Sequence, residues 1–320
     1  MQQRTFERAS RPPEEWASAY HAPVCVAQVL GLLQGCVKIL DGTLGGGGHA
    51  HALLEQGAMV TALDRDPQAV MVAAERLKPY LDAGRLRIFD GSYALVEEID
   101  ELANEFFDGV LLDLGVSSHQ LDDDSRGFSF RPDAPLDMRM EGAGESAADV
   151  LNLTDESALS RIFREYGDEP RAGRLAREVV RRRSAKPFCT SNDFVGAIRA
   201  TLGSRSGAPD FARLFQAVRI ATNNELGGLA TALPHLRDKL VADGVVVVIS
   251  YHSGEDRIVK NAFRDWSAAC ICPARHPICT CRGHPLGELL TRRGIVADEL
   301  ERATNPRARS ARLRAWRNGG

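Results

Sequence analysis

The sequence predicts an α/β protein: a parallel sheet wound by helical crossovers, with a helical insertion between its fourth and fifth strands. Three observations carry this. Four strand-like runs recur early, at Val37–Asp41, Met59–Asp64, Arg85–Asp90 and Asp108–Asp113, with helical patterns between them. Strands alternating with helices imply parallel βαβ units. The rhythm then breaks, and residues 118–211 are polar, charged and mostly helical in pattern. It returns at Gly244–Tyr251, which contains the longest purely aliphatic run, Val245–Ile249.

The elements follow in order. Each of the first four strands ends in Asp, and in such sheets ligands bind outside the carboxyl ends of the strands. Pro67–Leu81 reads as a helix with Ala69, Val70, Ala73, Ala74 and Leu77 on one face. In the insertion, Leu153–Tyr166 and Arg174–Arg183 are the clearest helices, with Asp155 as a first-turn acid. Asn224–Ala242 reads as an amphipathic helix interrupted by Pro234. The expected domains are 1–117 with 212–320, and an inserted 118–211.

A chain of 320 residues buries about three quarters of its extended surface, so its core needs neither disulfides nor metal. Hydrophobic residues at 44% and charged residues at 26% exclude wholesale disorder. No apolar stretch approaches the ~20 residues of a membrane helix, and the first residues lack an apolar signal core. A cytoplasmic protein with no membrane partner is expected. The seven Cys fit a reducing compartment. The net charge of −3 hides a strong polarity: residues 90–160 carry −15, residues 161–220 carry +7, and residues 301–320 carry +5. Two basic features are candidate surfaces for nucleic-acid phosphates. One is the stripe of Arg171, Arg174, Arg177 and Arg181–Arg183, the other the Arg-rich tail. Four Cys cluster as Cys270-Ile-Cys272 and Cys279-Thr-Cys281. Paired Cys motifs can build a tetrahedral zinc site. The alternative is a thiol-rich surface loop held by Pro273, Pro277 and Pro285.

The glycine loop Asp41-Gly-Thr-Leu-Gly-Gly-Gly-Gly-His49 follows the first strand directly. Glycines let the backbone turn tightly and a ligand approach without Cβ clashes. Gly45-x-Gly47-x-x-Ala50 satisfies the dinucleotide fingerprint, and Asp64 stands where a carboxylate holds ribose hydroxyls. An adenosine-bearing cofactor is expected. Asp41, heading the loop, would repel a pyrophosphate but attract an ammonium group. With Asp64, Asp90 and Asp113 around the expected site, charge favours S-adenosylmethionine over a nicotinamide dinucleotide.

Several strings resemble the RsmH family, also called MraW. They are Asp-Gly-Thr-x-Gly-x-Gly-Gly-His at 41–49, Leu-Asp-Arg-Asp-Pro-Gln-Ala at 63–69 and Leu-Leu-Asp-Leu-Gly-Val-Ser-Ser-His-Gln-Leu-Asp at 111–122. Arg-Gly-Phe-Ser-Phe (126–130), Pro-Leu-Asp-Met-Arg-Met (135–140), Phe-Gln-Ala-Val-Arg-Ile (215–220), His-Ser-Gly-Glu-Asp-Arg (252–257) and Asn-Pro-Arg-Ala-Arg-Ser (305–310) belong to the same set. The resemblance runs from about His21 to Leu313. It implies a class I methyltransferase with a Rossmann-like sheet and an inserted helical domain. The implied activity is S-adenosylmethionine-dependent methylation of a cytidine N4 amine in 16S ribosomal RNA, near the ribosomal P site. The implied cofactor residues are Gly47, Gly48, His49, Asp64, Tyr93, Asp113 and Gln120. His119 and Gly254 depart from the family's usual Pro and Leu.

The partner this implies is 16S rRNA or an assembled small subunit; a homodimer is an expectation from the family alone. Arg126, Asp137, Arg139, Arg219, Asn223 and Arg257 are candidates for the substrate side, with Met138 and Met140 read as core filler. The Asp/Asn-Pro-Pro-aromatic motif of many amino-methyltransferases is replaced by Asp113-Leu-Gly-Val. Asp113 and His252 are the catalytic candidates. His252 follows the fifth strand, where it could move a proton or serve as a turn residue at the next helix start. The rivals are a nicotinamide oxidoreductase, which lacks a clear hydride-transfer site, and an RNA-binding assembly factor without activity.

Overall fold

A computed structural model describes Trp16, residues 22–272 and residues 280–320. Seven strands form one sheet: β1 (Lys38–Asp41), β2 (Met59–Asp64), β3 (Leu86–Asp90), β4 (Phe107–Asp113), β5 (Leu240–Ser250), β6 (Gly287–Leu289) and β7 (Arg312–Asn318). Their order is β3-β2-β1-β4-β5-β7-β6. The first five are parallel, and β7 runs antiparallel to β5 and β6. This is the class I methyltransferase arrangement. The reversed β7 sets it apart from the all-parallel dinucleotide order. The winding reverses between β1 and β4, so Asp41 and Asp113 end neighbouring strands at the switch point.

Helices cover both faces of the sheet, so its central strands read as continuous apolar runs. In β5 the pleat sends Val245, Val247 and Ile249 to a core with Leu53, Leu111 and Leu313. It sends Val246 and Val248 to the opposite core with Phe263, Trp266 and Trp316. Among the described residues no helix is long and apolar enough to cross a membrane.

The chain divides into two compact units. One ends at Gly115 and resumes at Leu229; the other is Val116–Gly228. The second boundary therefore falls later than the expected 211/212. The helix Ala208–Thr222 buries Phe211, Leu214, Phe215 and Val218 in the inserted unit's own core. There Phe194 stacks on Phe163 and tilts against Phe215, with ring centroids 5.9 and 5.2 Å apart.

Other expectations are corrected. The helix over 67–81 is two, Pro67–Arg76 and Lys78–Asp82, broken at Leu77. The helix over 153–166 is Glu156–Glu165, and Asp155 is its N-cap, accepting the Ala158 N–H at 2.9 Å. Pro234 does not interrupt its helix. Glu225–Asp238 continues through it, because buried Leu229, Ala232, Leu233 and Leu236 offset one lost backbone bond. Half of the arginines of the Arg-rich tail, Arg312, Arg314 and Arg317, lie in strand β7. Arg314 is buried and grips Asp256 with two hydrogen bonds of 2.7 and 3.1 Å, while Arg317 pairs with Glu288 at 2.7 Å.

Replacing one partner of a largely buried ion pair leaves the other uncompensated, at a cost of about 3–5 kcal/mol. Arg314→Met is therefore expected to lower the urea midpoint markedly. An unchanged midpoint would return Arg314 to the list of surface phosphate contacts.

Candidate functional site

The site grows from the loop between β1 and the helix Gly48–Glu55. Gly47 has φ +74°, and a Cβ there would lie 2.8 Å from Leu77 Cδ1, so glycine is required. Gly45, at φ +50°, turns its N–H onto Asp64 Oδ2 at 2.7 Å. Asp66 N–H donates to Asp64 Oδ1 at 2.9 Å. Thr43 ties the loop to both neighbouring strands. Its N–H donates to Asp41 Oδ1 at 3.1 Å, and its Oγ1 accepts the Asp113 N–H at 2.6 Å.

Asp41 is fully buried. Among the described residues its Oδ2 has no hydrogen-bond partner. Burial, with the charges of Asp113 and Asp64 adding, pushes its carboxyl up to about 7 against the Thr43 N–H. Burial pushes Asp64 up to about 6, opposed by the Asp66 and Gly45 N–H groups. An unpartnered buried carboxylate oxygen calls for a donor or a cation.

Asp113 is fixed from two sides. Tyr251 at the edge of β5 donates its O–H to Oδ1 at 2.7 Å, and burial with the Asp113 charge drives the phenol's pKa upward. His49 donates from Nε2 to the Val24 carbonyl at 2.9 Å and points Nδ1 at Asp113 Oδ2, 3.5 Å away. The Val24 region is itself anchored, since the Cys25 N–H donates to Glu301 Oε1 at 2.7 Å. Half-buried Tyr93 starts the 3₁₀ turn after β3, and its Cβ would lie 3.0 Å from a Cβ placed on Gly42. Gly48 packs its Cα face on Pro23. The expected residues Gly47, Gly48, His49, Asp64, Tyr93 and Asp113 thus gather around one loop. Asp90, at the end of the outer strand β3, is exposed.

His252 caps the helix Ser253–Ser267 in a reciprocal capping box. Glu255 Oε2 accepts the Tyr251 and His252 N–H groups at 2.8 and 3.3 Å, and His252 Nδ1 faces the Glu255 N–H at 3.4 Å. Arg257 is exposed on the same helix.

In the inserted unit, Gln120 caps the helix Ser118–Asp122 with Ser117 and is buried. Arg126, Asp137, Arg139 and Asn223 lace one segment together. Arg126 donates to the Arg139 and Met140 carbonyls at 3.1 and 3.2 Å, and its guanidinium lies over Phe128. Arg139 grips Asp137 with bonds of 3.0 and 2.6 Å. Asn223 accepts the Met140 N–H at 2.9 Å and donates to the Met138 carbonyl at 2.8 Å. Arg219 pairs with Glu225 through bonds of 2.8 and 2.9 Å. Met138 and Met140 are buried, and Met138 is held at φ +59°. In the arginine stripe, Arg181 and Arg182 both bind Glu178, and Arg183 donates to the Leu151 and Thr154 carbonyls. Arg171, Arg174, Arg177 and Arg181 remain exposed.

Sequence reasoning missed Tyr251 and Glu301. Tyr251 lies at the carboxyl end of a central strand, so the rule that singled out the aspartates points to it too. No sequence signal marks Glu301.

Three carboxylates at the switch point suit a positively charged ligand and oppose a pyrophosphate. The orphaned Asp41 Oδ2 and the bare glycine cradle fit S-adenosylmethionine, whose ammonium and ribose match Asp41 and Asp64. The chain matches the MraW methylase family over residues 18–318. It is 58% identical to ribosomal RNA small subunit methyltransferase H of Gemmatimonas aurantiaca over 307 residues, 96% of this chain and 98% of that protein. It is 45% identical to the protein of the same name from Geotalea uraniireducens over 309 residues, covering 92% of this chain and 97% of that one. Among solved structures, the N-methyltransferase NodS from Bradyrhizobium japonicum WM9 aligns with 92% of this chain and 94% of its own, at 9% identity and a TM-score of 0.41.

The raised Asp41 carboxyl has a consequence for stability. The folded chain keeps a proton that the unfolded chain has lost, so ligand-free stability falls as pH rises from about 4 to about 7. The loss reaches at most roughly 4 kcal/mol, with Asp64 adding to the same slope. Asp41→Asn is expected to flatten most of this slope and to raise the urea midpoint at pH 8. Equal midpoints for the two proteins from pH 5 to 8 would show that Asp41 carries no buried-charge penalty.

Proposed function

The chain belongs to the MraW methylase family and is an S-adenosylmethionine-dependent methyltransferase acting on small-subunit ribosomal RNA; we propose that its acceptor is the N4 amine of a cytidine in 16S rRNA near the ribosomal P site. The observation that carries the cofactor side is the buried Asp41 carboxylate with its unpartnered Oδ2 among the described residues. The N4 reading is supported by the long motif strings of 41–49, 111–122, 126–130 and 135–140.

When bound, S-adenosylmethionine supplies an electrophilic methyl group. Everything else falls to the chain. Asp41 holds the ammonium end and Asp64 the ribose hydroxyls, while Gly47 and Gly48 let the backbone come close. Tyr93 flanks the loop. Asp113, braced by Tyr251 and His49, acts as a positioning residue for the cofactor. Gln120 belongs to the cofactor set by its place in the motif. Methyl transfer is an in-line displacement, so rate comes mainly from alignment. The cytosine amine is a weak nucleophile because its lone pair is delocalised into the ring, which puts a premium on holding it in line. His252 shapes the turn after β5 as a helix cap. The laced segment Arg126–Met140, with Asn223 and Arg219, forms a rigid substrate-side wall within the inserted unit. Exposed Arg171, Arg174 and Arg177 meet RNA phosphates. Such a protein works in the cytoplasm, and a homodimer is the family's expectation.

Small subunits from a strain lacking this gene, incubated with the protein and methyl-labelled S-adenosylmethionine, test this. The label is expected in N4-methylcytidine after RNA digestion, falling at least 100-fold with Asp64→Ala. Label in another nucleoside would overturn the acceptor assignment.

A further inference from the structure

The described residues of the loop between the helix Ser253–Ser267 and β6 take no part in the site above. It nevertheless brings three thiols together. Sγ atoms of Cys270, Cys272 and Cys281 all lie within 4.8 Å of one another. Cys270 and Cys281 are 3.8 Å apart, Sγ to Sγ. Zinc–thiolate bonds of about 2.3 Å in tetrahedral geometry place neighbouring sulfurs about 3.8 Å apart. A disulfide would need about 2.05 Å. The Ile271 N–H also points at Cys281 Sγ, at 3.4 Å. That is the second-sphere bond a thiolate ligand needs to spread its charge.

The base of the loop is built to hold this arrangement. Arg282 donates to the Ala268 carbonyl at 2.9 Å, the Trp266 carbonyl at 3.3 Å and the His284 carbonyl at 2.8 Å, and it also reaches the Asp265 carbonyl. The Leu286 N–H donates to the Trp266 carbonyl at 2.8 Å. Both limbs are thus clamped beside the thiols. Cys270 is exposed and the other two are half-buried, so an ion has a path in. Cys279, the fourth sulfur of the sequence motif, lies outside the described residues, and the site is argued without it.

We propose that Cys270, Cys272 and Cys281 bind one zinc ion that pins this loop between the helix Ser253–Ser267 and β6. Three soft sulfur ligands select zinc over magnesium or calcium. The role is structural. Each thiol that binds gives up its proton and forms a sulfur–zinc bond, with no redox change.

The full-length protein, purified without chelator from zinc-supplemented medium, is expected to hold close to one zinc per chain by elemental analysis. A mercurial that modifies thiols should release it in step with thiol loss. Cobalt exchanged into the site should show tetrahedral d–d bands and sulfur-to-cobalt charge transfer from at least three thiolates. The double variant Cys270→Ser, Cys281→Ser should lose at least ten-fold in zinc content, whereas Cys189→Ser, in the other unit, should keep it. The proposal is overturned if wild-type protein holds under 0.1 zinc per chain, if iron or copper takes its place, or if the double variant keeps its zinc. It is also overturned if thiol counting in denaturant finds a disulfide among these cysteines. None of these readings depends on methyltransferase activity, so the zinc site and the cofactor site stand or fall separately.

Discussion

The burial of Asp41 at the point where the sheet reverses its winding is the constraint around which the cofactor unit is organised. A carboxylate in that position loses its water and feels two further acids, Asp64 and Asp113. Among the described residues, one loop N–H, that of Thr43, partly compensates it. A structure optimised for stability alone would place an apolar or amide side chain there. The acid is explicable as half of an ion pair whose other half arrives with the ligand. The glycine loop follows from the same requirement. It wraps Asp41, hands the Gly45 N–H to Asp64, and brings glycines without Cβ atoms to where the ligand must pass.

Around that centre the remaining residues act by holding one another. Tyr251 and His49 immobilise Asp113; Val24, Cys25 and Glu301 immobilise His49. This chain of contacts joins residues 276 positions apart in sequence, which is how a strand-end site is made rigid. The inserted unit applies the same logic by itself. Arg126, Arg139 and Asn223 tie down the segment that holds Met138 in a left-handed conformation. A non-glycine residue there is strained and persists only when its surroundings determine it. Charged residues that look like an RNA-facing set in sequence are in large part internal ties.

That contrast marks how far the sequence is legible. Strands β1 to β5 are readable because buried parallel strands must be apolar, and their terminal aspartates stand out against that background. The glycine loop is readable because its conformation admits few other residues. Strands β6 and β7 are not, since the charged side chains of β7 disguise a strand whose Arg314 is neutralised by Asp256, a partner 58 residues away. The end of the insertion is misplaced because a helix carries no local sign of which core it joins. Pro234 misleads for a related reason: tertiary burial outweighs one missing hydrogen bond. The partners of the arginines depend on the tertiary fold, so composition shows that they are charged but not what they grip.

The central claim is that Asp41 awaits a cation, and proton linkage tests it most directly. Calorimetric titration with S-adenosylhomocysteine, which keeps the ammonium and lacks the reactive methyl, should be run near pH 6 in buffers of different ionisation enthalpy. Because the ligand-free carboxyl sits at about 7, it is mostly protonated there, and pairing with the ammonium must expel that proton. Close to one proton should be released per ligand bound, and the release should vanish in Asp41→Asn together with most of the affinity. Binding with no proton released by the wild type, or with the same release and affinity in Asp41→Asn, would contradict the account.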